Sequence, residues 1–110
     1  MEPEDRSELT AAIQKLWERF LPETLARIDA LDAAALACAT GKLPPAKLRA
    51  AHDAAHKLAG SLGTFALTRG SVLARELELL YSAGDAPAAE LAPRLTALAA
   101  ELRQIVCNHQ

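Results

Sequence analysis

Alanine and leucine fill 44 of the 110 positions, while aromatic residues make up only 4%. Strands are favoured by valine, isoleucine, threonine and aromatic side chains, all scarce here, whereas alanine and leucine are strong helix formers. The chain therefore reads as all-α, with a core of aliphatic side chains. Its length is one domain's worth, and residues 1–110 are expected to form a single helical-bundle domain.

Three breaks divide the pattern into four helical stretches. The first starts near Asp5, where Asp5 and Glu8 have capping-box spacing and Ser7 is a competing cap. Leu9, Ile13, Leu16, Trp17 and Phe20 follow at helical spacing, and the pattern resumes at Leu25, Ile28, Leu31 and Leu36. Pro22 removes a backbone donor between the two runs, so a kink is expected there rather than a stop. Gly41-Lys42-Leu43-Pro44-Pro45 is the clearest break. A second stretch runs from about Pro45 to Ser61 or Leu62, and a third from about Thr68 to Ser82. Asp85 is placed to cap the fourth, with Pro87 in its first turn and Leu91, Leu95, Leu98, Leu102 and Ile105 along it. Pro93 calls for a distortion or a later start. Four helices with short connections make an antiparallel four-helix bundle with a long, kinked first helix.

The formal charge of −2 and a pI near 5.9 give no general attraction for nucleic acid or an anionic membrane surface. The acidic opening Met1-Glu2-Pro3-Glu4-Asp5 is not an ordinary secretory signal, and no apolar run approaches the ~18 residues of a membrane span. A cytoplasmic location is expected. Cys38 and Cys107 form no metal-binding set and read as free, mostly buried thiols.

The stretch from Ala51 to Phe65 carries the chemistry. On a helical wheel with His56 at zero, Ala54, Leu58, Ala51, Leu62 and Ala55 fall at about 160° to 260°, a coherent apolar face that must look inward. His56 stands nearly opposite, in water, with Arg49, His52, Asp53, Ala59 and Gly60 on its own face and Lys57 about 100° round. Ala59 and Gly60, one turn on, leave the imidazole with almost no side-chain cover. A glycine inside a helix costs roughly 1 kcal/mol against alanine, which close approach of another helix or of a partner would offset. The plainer reading is that Gly60 helps to end the helix and His56 is an ordinary surface residue.

His56-Lys57-Leu58-Ala59-Gly60-Ser61-Leu62-Gly63-Thr64-Phe65-Ala66-Leu67 resembles the signature of histidine-containing phosphotransfer (HPt) domains. Leu16-Trp17-Glu18-Arg19-Phe20 and the run from Ser71 to Glu78 are also similar to that family. The resemblance implies a four-helix bundle in which His56 is the phospho-acceptor. It implies that Gly60 lets a receiver domain approach the imidazole and that Ser61 is the small polar residue after it. Ala66 stands where glycine or alanine is expected. Ala59 departs from the pattern, because many members carry there a lysine that attracts the phosphoryl oxygens. Lys57 is a substitute, Arg49 a weaker one, and His52 lies one turn before the acceptor.

The resemblance further implies the partners: a response-regulator receiver domain, a hybrid histidine kinase, or both, in two-component phosphorelay signalling, with no nucleic acid or membrane involved. An ordinary imidazole titrates near pH ~6.5 and is mostly an uncharged nucleophile at neutral pH. Phosphoryl transfer depends chiefly on positioning and charge neutralisation, and the divalent metal would come with the receiver, so no cofactor is expected on this chain. The sequence has no Walker motif and no kinase-like glycine-rich loop, as suits a carrier rather than an enzyme. Two rival readings stand beside this one. His52 and His56 at i, i+4 could share a metal, but two ligands are too few. The bundle could also be a phosphotransfer-inactive interaction domain, a reading that the alanine at position 59 favours.

Elsewhere, Trp17, Phe20 and Tyr81 read as packing residues, and Glu76 and Glu78 as solvated, with Arg75 placed to pair with either. His109 lies in a tail expected to fray.

Overall fold

In the computed structural model, which describes residues 3–82 and 84–109 with side chains from Ser7 onward, helix α1 spans Pro3–Ala39. The side chain of Asp5, and with it the expected cap, lies outside the described residues. The helix continues through Pro22, whose missing N–H leaves only the carbonyl of exposed Glu18 without its helical partner. Thr24, the one buried polar residue among those described, donates its hydroxyl to the Phe20 carbonyl at 2.9 Å.

Gly41, at φ +69°, ends α1 in the left-handed conformation that glycine adopts without strain. Helix α2 (Pro45–Thr64) starts with proline in its first turn. It runs past the expected end at Ser61 or Leu62, because neither Gly60 nor Gly63 takes up a turn conformation. The turn comes at Ala66, which sits at φ +61°, with the N–H of Leu67 returning to the Leu62 carbonyl at 2.8 Å. Helix α3 covers Thr68–Leu80. The fourth helix, α4 (Ala92–Asn108), begins later than Asp85 would have it. A 3₁₀ turn at Ala89–Leu91 leads into it, and Pro93, not Pro87, occupies its first turn. The capping expectation for Asp85 is thus overturned: the chain from Pro87 is held instead by α1, where the buried Cys38 thiol donates to the Pro87 and Ala88 carbonyls at 3.3 and 3.5 Å. Burial first, and the charge of Glu90 second, push that thiol's pKa up and keep it protonated.

α1 packs on α2 and α4, and α3 packs on α2 and α4, so the bundle is a ring in which α2 lies diagonal to α4. Leu58, Leu62, Leu77, Leu95 and Leu102 are fully enclosed at its centre, each worth about 1.5–3 kcal/mol of burial. Gly70 lets α3 come close: a Cβ there would meet Leu62 Cδ1 at 3.0 Å and Ile105 Cγ2 at 3.5 Å. Arg103 ties α4 to α1 through Asp29 and Asp32, at 2.7 and 2.6 Å.

α1 outruns its neighbours. The molecule is 55 Å long and 20 Å across, and 37 helical residues at about 1.5 Å each account for the whole length. Trp17 is only 2% exposed, and its ring meets Phe65 and His109 edge-on at 5.1 and 4.5 Å, at the very ends of α2 and α4. His109 is therefore pinned rather than frayed. Beyond that point Leu9, Ile13 and Leu16 extend along α1 with no helix left to cover them, and Phe20, three residues to the bundle side of Trp17, is exposed rather than packed as expected. Leu36 lies off the buried stripe and is also exposed, and Cys107, read as buried, is not.

Tyr81 packs as expected, but its hydroxyl is enclosed with no hydrogen-bond partner among the described residues. Burial, then the neighbouring Cys38, push its pKa up to about 12. Removing an unsatisfied buried hydroxyl costs nothing and relieves desolvation, so Tyr81→Phe is expected to leave stability unchanged or raise it by up to ~1 kcal/mol. In the unfolded chain a tyrosine ionises near ~10. The folded state thus holds the neutral form, and stability present below pH ~10 is lost as pH rises towards about 12. Alkaline unfolding followed by circular dichroism checks this: the Phe variant should lose less stability over that window than the wild type.

Candidate functional site

Helix α2 presents the chemistry on one side because alanine and leucine occupy the other. Ala51, Ala54, Ala55, Leu58 and Leu62 are all buried, which turns His56 outward with its side chain 69% exposed. Arg49, Asp53, Lys57 and Gly60 are exposed beside it. Ala59, assigned to the same open face, is buried, because α3 covers that flank of α2. Its carbonyl accepts the Ser71 hydroxyl at 2.7 Å, so position 59 lies in the seam between the two helices. Gly60 does stand clear: a Cβ placed there meets nothing within 4 Å. Ser61 is half-buried, and its hydroxyl turns back to the Leu58 carbonyl at 3.5 Å.

The residue that organises the site is Glu78 of α3. Its side chain is 22% exposed, and Oε2 accepts a hydrogen bond from His56 Nδ1 at 2.9 Å. The same oxygen lies 3.8 Å from His52 Nε2, while His52 Nδ1 is 3.5 Å from Asp53. Glu78 is therefore not a solvated surface acid. Neither is Glu76, which accepts from Arg94 on α4 at 2.9 Å. Arg75 pairs with neither of them, because both acids point to other helices.

A carboxylate can only accept, so the bond at Nδ1 places the proton on that nitrogen. In the neutral ring, Nε2 then carries the lone pair. It has no hydrogen-bond partner among the described residues, and it belongs to the exposed edge of the ring. The arrangement is a nucleophilic nitrogen in water, with its tautomer and ring orientation fixed from behind by an acid on another helix. Among the described residues, no three histidine, cysteine, aspartate or glutamate side chains are grouped to hold a metal ion.

Comparison with known sequences gives the family. The sequence profile of the Hpt domain matches residues 15–107. The chain belongs to the Hpt domain family. The four-helix bundle is the fold expected of an Hpt domain. Protein RcaC of Microchaete diplosiphon is 30% identical over 101 residues, an alignment covering 92% of this chain and 16% of that protein. This Hpt chain thus spans about a sixth of the length of the curated relative it matches. No solved structure matches it significantly.

The bond to Glu78 has a measurable consequence. With the His56 ring free to rotate and to change tautomer, Glu78→Ala is expected to slow reaction at its Nε2, in the phosphoryl transfer proposed below, by about tenfold to a hundredfold. Glu78→Gln keeps an acceptor for Nδ1–H and should be milder. Rates from a phosphorylated receiver measure both, and equal rates for wild type and Glu78→Ala would show that the carboxylate does not position the ring.

Proposed function

We propose that this Hpt domain carries a phosphoryl group on His56 Nε2 and exchanges it with the aspartyl phosphate of receiver domains in a phosphorelay. The observation that carries this reading is the pairing of an exposed Nε2 with an Nδ1 held by Glu78. The Nε2 lone pair attacks phosphorus, the P–O bond to the aspartyl carboxylate breaks, and that carboxylate leaves with the electron pair. Positive charge arising on the ring is balanced by Glu78, against which the Nδ1 proton stays. The reverse step returns the phosphoryl group to an aspartate. A divalent cation on the receiver would neutralise phosphoryl charge during either transfer.

Gly60 fits the approach of a receiver, since the surface one turn beyond His56 is bare. Ser61 and His52 flank the acceptor, one after it and one sharing its carboxylate. Of the exposed cations of α2, Lys57 and Arg49 stand closest to His56 along the helix and are the ones available to the phosphoryl oxygens, because Ala59 brings none. The chain acts on this reading as a carrier, not an enzyme, and needs no cofactor of its own. A receiver, a hybrid kinase or both are its partners. No helix among the described residues is long and apolar enough to cross a membrane.

A second reading, a phosphotransfer-inactive interaction bundle, draws on Ala59. Incubation with a radiolabelled phospho-receiver separates the two. Acid-labile, base-stable label on this chain is the expected result, as a phosphoramidate requires. A folded protein that takes no label from several receivers would favour the inactive bundle.

A further inference from the structure

Leu9, Ile13, Leu16 and Phe20 are 53%, 49%, 45% and 44% exposed and form one stripe on the N-terminal half of α1, the first three where α1 has outrun α2 and α4 and Phe20 just inside the level of Trp17. The overhang continues an already nucleated helix, but its apolar side chains stay in water until something covers them. The four residues are spaced 4, 3 and 4 apart, the alternation of a coiled-coil seam. That spacing also reads the same in both directions. An antiparallel copy of the same segment therefore sets Leu9 opposite Phe20 and Ile13 opposite Leu16, then repeats both pairs about a two-fold axis between residues 14 and 15. Only a self-complementary patch closes in this way.

We infer that this stripe is a homodimer interface, in which the α1 overhangs of two copies of the chain pair antiparallel. His56 lies nine residues before Phe65, the α2 end that faces the overhang, so pairing leaves both acceptor faces uncovered. Eight half-exposed apolar side chains make a modest interface, with a dissociation constant in the micromolar range, about 1–100 μM. A charge placed at the centre of the seam is present twice in the dimer and is expected to weaken it at least ~100-fold.

Sedimentation equilibrium of the full chain, wild type against Ile13→Glu, tests the proposal. The wild type should pass from monomer to dimer over that concentration range, and the variant should remain monomeric with unchanged helical content. Ile13 contributes nothing to the buried core, so the variant folds. A wild type monomeric at ~500 μM would overturn the proposal, and so would a dimer that Ile13→Glu leaves intact. The direction of pairing is read in a Cys107→Ser background, by mixing Leu9→Cys and Phe20→Cys proteins and oxidising them. Mixed disulfides joining one protein to the other are expected. Disulfides formed exclusively between two copies of the same variant would contradict the antiparallel arrangement.

Discussion

His56→Gln is expected to abolish labelling by a phospho-receiver while leaving the bundle as stable as the wild type. The ring is 69% exposed and its hydrogen bond is to Glu78, so almost no packing is lost with it. Surface substitutions of this kind usually change stability by less than about 0.5 kcal/mol. Glutamine keeps polarity and approximate size, and its amide can still approach the Glu78 carboxylate. What it lacks is a nitrogen lone pair able to form a P–N bond. The two readouts are therefore expected to separate cleanly: an unchanged urea midpoint, and transfer reduced to background. Residual acid-labile label on the variant would mean that another histidine, His52 being nearest, also accepts.

Gly60→Gln is expected to have the opposite pair of effects on stability and transfer. A Cβ at position 60 meets nothing within 4 Å, and Gly60 lies inside α2, so replacing glycine with a better helix former should stabilise the bundle by about 0.5–1 kcal/mol. On the proposed function, the same side chain would project into the space through which a receiver approaches Nε2. Displacement of a reacting group by an ångström costs about a hundredfold in rate, and a fall in transfer of at least that size is expected. Thermal unfolding and transfer kinetics on one preparation check both halves. A variant that is more stable and transfers normally would show that the partner approaches from another side.

Much of the bundle was legible because alanine and leucine leave little choice. The apolar faces of α2 and α4 repeat at helical spacing, and Gly41 and the prolines at 44 and 45 punctuate as their backbone chemistry dictates. Misreadings arose where a position depends on which neighbour covers it. Ala59 falls at the edge of the apolar face on a wheel, and only the docking of α3 shows that this edge is sealed. Phe20 keeps helical spacing with the core residues, but it lies about 60° round α1 from Trp17, off the face that Phe65 and His109 close. Asp85 has cap chemistry, yet Cys38 holds the segment that follows it against α1. Glu78 was the most consequential miss, since an acid on an amphipathic helix looks like a solvated one. A signal was nevertheless present: His56 and Glu78 are each eleven residues from Leu67, where the α2–α3 hairpin turns, so folding that hairpin brings them level.

The most direct test of His56 as a phosphoryl carrier is nitrogen-15 and phosphorus-31 NMR of the chain after phosphorylation by a phospho-receiver. The expected result is a single phosphohistidine, bonded through Nε2 of His56, with the Nδ1 proton still present and slowed in exchange by Glu78. Phosphorus on Nδ1, on another residue, or on none in a folded protein would contradict it.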